Sequence, residues 1–73
     1  MQLHKPAPTR IRLNGEQLET EACTLADLVT SQGFAESGVA TAVNGDFVPR
    51  QARPATQLVD GDTVEIVAPR QGG

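Results

Sequence analysis

A chain of 73 residues has room for one domain, and at this size only about 60% of the unfolded surface is buried on folding, too little to enclose an active-site cleft. Nine Asp plus Glu against six Lys plus Arg leave a net charge of −3, which opposes attraction to a phosphate backbone and argues against nucleic acid as a partner. The single Cys23 can form no internal disulfide, and no stretch is apolar enough for a membrane span or a signal-peptide core, a pattern expected of a soluble cytoplasmic protein with no membrane association.

Met1 to Pro8 carries Pro6 and Pro8 beside His4 and Lys5 and has no hydrophobic periodicity, so residues 1–8 are expected to be a flexible leader. His4 has no Cys or His at metal-ligand spacing, and no metal site is expected. Order begins at Thr9. Thr9-Arg10-Ile11-Arg12-Leu13 alternates polar and apolar, Asn14-Gly15 can supply the positive φ values of a type I′ turn, and Glu16 to Thr20 alternates around Leu18. This predicts a hairpin. Thr24 then stands where a helix N-cap belongs, Asp27 lies in the first turn, and Leu25, Leu28 and Val29 repeat at helical spacing until Gly33 offers a stop.

The strand pattern resumes with Val39 to Val43, a second Asn44-Gly45 pair, and Phe47-Val48, where Pro49 would deny a donor to any neighbouring strand. Gln51 to Gln57 reads as a connecting loop. Leu58-Val59 leads into an Asp60-Gly61-Asp62 turn, and Thr63 to Val67 is the last strand. The order is ββαβ(β)β, an α+β domain over residues 9–68. One amphipathic helix must cover one face of a mixed sheet, with Ile11, Leu13, Leu18, Leu25, Leu28, Val29, Val64 and Ile66 as the core.

Residues 69–73 are expected to be a flexible tail ending in a bare diglycine, Gly72-Gly73. Two residues without side chains make a strand end slender enough for a channel that admits no Cβ, and they leave the Gly73 carboxylate uncrowded. Such an end has the form of a substrate rather than of an enzyme. Its bland counterpart is a loose terminus.

Val43-Asn44-Gly45-Asp46-Phe47-Val48-Pro49-Arg50, then Leu58-Val59-Asp60-Gly61-Asp62-Thr63-Val64-Glu65-Ile66-Val67, then the terminal Gly72-Gly73, together resemble the ThiS family, the ubiquitin-like sulfur carriers of thiamin biosynthesis. The resemblance spans about Thr9 to Gly73, and its β-grasp fold agrees with the element order above. It implies that the Gly73 carboxylate is joined to AMP by an adenylating, E1-like enzyme that consumes ATP, the chain itself holding no cofactor. Sulfur from a donor system such as a cysteine desulfurase then displaces AMP, and the resulting thiocarboxylate delivers sulfur to thiazole synthase. Five extended residues from Pro69 to Gly73 could reach roughly 17 Å, so Gly72 and Gly73 would enter the partner while the body stays outside.

Other reactive side chains have readings of two kinds. Cys23 precedes the helix, where the helix dipole could activate a thiol, but a free cysteine is more often a small buried hydrophobe. Arg50 and Arg53 could meet an acidic partner surface or a nucleotide phosphate, or simply be solvated, and Arg50 and Arg70 are the candidate partner contacts. Asp60 and Asp62 fit a turn better than a catalytic pair, because Asp bonds nearby backbone amides and Gly61 supplies the permissive torsion. Three alternatives to the thiamin carrier stand beside it. One is a carrier for molybdopterin or another sulfur pathway, another a β-grasp binding module of the kind associated with RNA, and the third a modifier conjugated to lysines.

Overall fold

The chain reverses twice on Asn-Gly pairs. Asn14 and Gly15 have φ of 51° and 88°, and Asn44 and Gly45 have 52° and 88°, the left-handed values of type I′ turns, whose twist matches the strands they join. In the computed structural model, which describes residues 7–68, the first turn links β1 (Thr9–Leu13) to β2 (Glu16–Thr20) and the second links β3 (Ala40–Val43) to β4 (Asp46–Val48). His4 and the rest of the expected leader up to residue 6, like residues 69–73, lie outside the described residues.

Between the hairpins runs α1 (Leu25–Ser31). Thr24 is extended, and its Oγ1 accepts the Asp27 N–H at 3.1 Å, which satisfies one of the orphan donors of the first turn. At the other end Gly33, at φ 86°, lets the chain leave in a Schellman motif. The Phe34 N–H reaches back to the Val29 carbonyl at 3.1 Å, and the Gly33 N–H to that of Thr30 at 3.0 Å.

Among the described residues, five strands form one sheet in the order β2-β1-β5-β3-β4. The strand that comes last in sequence, β5 (Thr63–Val67), is therefore central. It runs parallel to β1, with Arg12 beside Thr63 and Leu13 beside Val64, and antiparallel to β3, with Ala40 opposite Val67 and Thr41 opposite Ile66. One face of this sheet packs on α1, as the β-grasp order predicts. Leu25, Leu28 and Val29 of the helix are fully buried against Ile11, Val64 and Ile66.

The core differs from the sequence expectation at its margins. Leu13 and Leu18 are only partly buried, while Val48 and Leu58 join the core. A helix of seven residues is only roughly 10 Å long, whereas five strands span about 19 Å, so α1 cannot cover the outermost strand β2 that bears Leu18. The segment expected as a plain loop contains a 3-10 helix, Arg50–Ala55, and another short one spans Glu36–Gly38. Neither has apolar periodicity. Both are organised around one side chain, Arg53, which is 2% exposed.

Candidate functional site

Gly72, Gly73 and Arg70 lie outside the described residues. What the structure describes is the platform that carries them, and that platform is the end of β5. Alternation along β5 sends Val64 and Ile66 into the core and Thr63, Glu65 and Val67 to the open face of the sheet. The same period of two turns Val48 inward and Phe47 outward on β4, and Thr41 inward with Ala40 and Ala42 outward on β3.

Register then gathers these outward residues. Phe47 stands opposite Ala42 and Ala42 opposite Glu65, while the next outward rung pairs Ala40 with Val67. Phe47 is 68% exposed and Val67 57%, and the two flank the small side chains of Ala40 and Ala42. An apolar strip therefore lies open on the sheet face at the residues where the chain leaves β5. Phe47 and Val67 are the candidate contact surface of this face. The composition of Phe47-Val48 already contained this signal, because alternation lets only one of two adjacent apolar residues face the core.

The other half of the open face is charged. Arg10 and Arg12 of β1 stand beside Gln17 and Glu19 of β2, around an open depression of about 730 Å³. The Arg10 Nε lies 3.1 Å from Glu19 Oε2, and both side chains are mostly in solvent, where such pairs contribute little.

The arginines singled out from the sequence separate sharply. Arg50 is exposed and pairs with Glu36, its Nε 3.7 Å from Glu36 Oε1. Arg53 is buried. Its Nε donates to Thr41 Oγ1 at 3.1 Å, and its two terminal nitrogens donate to the carbonyls of Glu36 at 2.7 Å and Val39 at 2.8 Å. The guanidinium is the peg that fastens both 3-10 segments to β3. The expectation of an exposed phosphate or partner contact is corrected accordingly, since alternation and charge say nothing of a cage of distant carbonyls.

Cys23 is corrected in the opposite sense. It is exposed rather than a buried hydrophobe, at a small depression of about 160 Å³ that it shares with Ala7, Thr9, Glu21 and Ala22. Thr20 pairs with Thr9 at the start of β1, and β1 runs parallel to β5, so Cys23 sits at the end of the sheet remote from Val67. The Asp60-Gly61-Asp62 turn is structural, as its composition suggested. Asp60 Oδ1 accepts the Arg10 N–H at 2.9 Å. Asp62, 7% exposed, accepts the Val59 N–H and the Asn44 Nδ2, both at 2.9 Å.

Among the described residues no three His, Cys, Asp or Glu side chains are grouped to hold a metal ion, and no helix is long and apolar enough to cross a membrane.

Comparison with known proteins bears on the same region and more. The model of the ThiS family matches residues 8–73. The sulfur carrier protein ThiS of Thermus thermophilus is 39% identical over 61 residues, which cover 84% of this chain and 95% of that protein. The crystal structure of the thiamine biosynthesis protein ThiS from Geobacter metallireducens superposes with a TM-score of 0.74 at 26% identity, covering 89% of this chain and all of that one. The solution structure of a thiamine biosynthesis protein from the same organism gives the same score and identity, with 88% of its chain covered.

Proposed function

The chain belongs to the ThiS family of sulfur carriers, and from that premise we propose that its working group is the Gly73 carboxylate, activated and loaded by partner enzymes for thiazole formation in thiamin biosynthesis. A carboxylate is a poor electrophile, because its charge repels nucleophiles and it has no good leaving group. In the proposed sequence a carboxylate oxygen attacks the α-phosphate of ATP on an adenylating enzyme and pyrophosphate departs. The outer sulfur of a persulfide, formed on a donor such as a cysteine desulfurase, then attacks the acyl carbon, and the bond to AMP breaks. A second thiol, itself oxidised to a disulfide, cleaves the sulfur–sulfur bond, and a thiocarboxylate remains at Gly73. Thiazole synthase receives a nucleophilic sulfur that is never released as free sulfide.

The observation that carries this reading is the position of the apolar strip. Phe47 and Val67, both largely exposed, lie on the open sheet face near the end of β5, whose last residue is six positions before Gly73. Docking the strip would hold the body while Gly72 and Gly73 reach the reacting atoms, and Arg50 at the neighbouring loop would meet acidic groups at the rim. The domain itself needs no cleft in this scheme. It presents a substrate, and catalysis belongs to the partners.

Intact-mass analysis tests the proposal after incubation with ATP, an adenylating enzyme and a sulfur donor. The expected product has one oxygen exchanged for sulfur, and neither deletion of Gly73 nor a short C-terminal extension should permit it. Full sulfur loading of the extended chain would place the chemistry elsewhere.

A further inference from the structure

The peptide groups of β5 alternate in direction. Those of Asp62 and Val64 turn toward β1, where their carbonyls accept the Arg12 and Asn14 N–H groups, each at 2.9 Å. Thr63 turns toward β3, and its carbonyl accepts the Asn44 N–H at 2.7 Å. The next group on the β1 side belongs to Ile66, but β1 has ended and the chain has turned away through Asn14-Gly15. Ile66 is 3% exposed, and an unpaired peptide there would be expensive.

The side chain of Asn14 fills that place. Its Oδ1 accepts the Ile66 N–H at 3.0 Å, and its Nδ2 donates to the Ile66 carbonyl at 3.1 Å. A primary amide carries the same donor and acceptor as a peptide unit, so Asn14 extends the parallel ladder one step beyond the backbone of β1. Position 14 thus meets two demands at once. The turn needs a residue that tolerates φ of 51°, which Gly, Asn and Asp do, and the ladder needs a donor and an acceptor on one short side chain, which only Asn among them has.

Asn44 is its counterpart at the other end of β5. Its Oδ1 accepts the Thr63 N–H and its Nδ2 donates to Asp62, both at 2.9 Å. The two turn asparagines therefore pin opposite ends of the same strand, and of the two it is Asn14 that pins the end from which the chain continues to Gly73, on the side of β5 away from β3.

We propose that Asn14 is a positioning residue for the chemistry at Gly73: it fixes the backbone of Ile66 and with it the direction in which the chain leaves β5 beside the docking strip. This rests on the carrier reading above. The pair of asparagines supplies its own control, because replacing either by Gly keeps the turn torsion, removes two side-chain hydrogen bonds and lowers stability to a similar degree.

The test compares Asn14→Gly with Asn44→Gly in adenylation, followed as pyrophosphate release with an enzyme that charges the parent chain, and in amide exchange of the free protein. Asn14→Gly should lower kcat on the order of tenfold, the scale on which a misplaced reacting group slows a step, with KM unchanged because the docking strip is intact. Asn44→Gly should keep the parent's kcat. Exchange of the Ile66 amide should accelerate in Asn14→Gly beyond the global loss of stability, and not in Asn44→Gly. Should Asn14→Gly fail to fold, Asn14→Asp carries the same contrast, since it keeps the oxygen that faces the Ile66 N–H and sets a carboxylate oxygen against the Ile66 carbonyl in place of a donor. Equal kcat for the two Gly variants, or no local change at Ile66, overturns the proposal. If the parent chain is not adenylated at all, the carrier reading falls instead, and the exchange contrast alone decides whether Asn14 holds the strand end.

Discussion

Replacing Arg53 by Met separates an internal role from a partner role, and the structure sets the size of the effect. The guanidinium is almost fully buried and donates to three acceptors, the Glu36 and Val39 carbonyls and Thr41 Oγ1. Hydrogen bonds to a charged group contribute about 1.5–3 kcal/mol each, so three would suggest a loss above 4 kcal/mol. Two effects reduce it. Both carbonyls are only partly buried, so water reaches them once the arginine is gone, and removing a guanidinium that has no carboxylate partner among the described residues relieves a desolvation cost of several kcal/mol. A net loss of about 3 kcal/mol remains, because the three bonds that fasten both 3-10 segments to β3 are gone. For a domain of this size that lowers Tm on the order of 15 °C, out of a total stability of roughly 4–11 kcal/mol. Urea and thermal unfolding followed by circular dichroism measure it, with Arg50→Met as the control, since an exposed ion pair contributes about 0.5 kcal/mol or less. Arg53→Met with the parent's melting temperature but impaired adenylation would restore Arg53 as a partner contact and refute the caged-peg argument.

Phe47→Ala should leave Tm unchanged, because the ring is in solvent, and raise the KM for adenylation about tenfold, the equivalent of roughly 1.4 kcal/mol for an aromatic anchor buried on docking; an unchanged KM would detach the strip from the adenylating enzyme. Gly61 has φ of 91°, and no atom lies within 4 Å of the place a Cβ would take, so Gly61→Val is opposed by backbone strain alone, about 2 kcal/mol. It should lower Tm by about 8–16 °C and slow adenylation measured well below the transition, and a variant as stable and as readily charged as the parent would show that the turn needs no glycine. Cys23 is exposed and remote from Val67, so Cys23→Ala should change stability by less than about 0.5 kcal/mol and load sulfur as the parent does. A folded Cys23→Ala chain that gained no sulfur would make the thiol an intermediate.

Both hairpin turns, the helix with its Thr24 cap and Gly33 stop, and the glycine of the Asp60-Gly61-Asp62 turn were legible in the sequence because each follows from preferences acting within a few residues. Torsion at Asn-Gly, side-chain capping at Thr24 and alternation along β5 need no knowledge of the rest of the chain. The β-grasp order followed from them once a single helix had to cover a mixed sheet. What the tertiary structure alone decided are the groups whose partners lie far off in sequence. Arg53 is a buried peg because Glu36, Val39 and Thr41 converge on it, and no local pattern distinguishes it from the solvated Arg50 three residues earlier. Asn14 reads as an ordinary turn residue until β5 is laid parallel to β1 and leaves Ile66 without a backbone partner. Leu18 lies only at the edge of the core because a seven-residue helix is too short to reach the sheet's margin, and Cys23, in the link between β2 and α1, is left exposed. Hydrogen-bonding capacity and apolar surface are properties of the residue, but whether they are used internally or left for a partner depends on what the fold brings within about 3 Å of them.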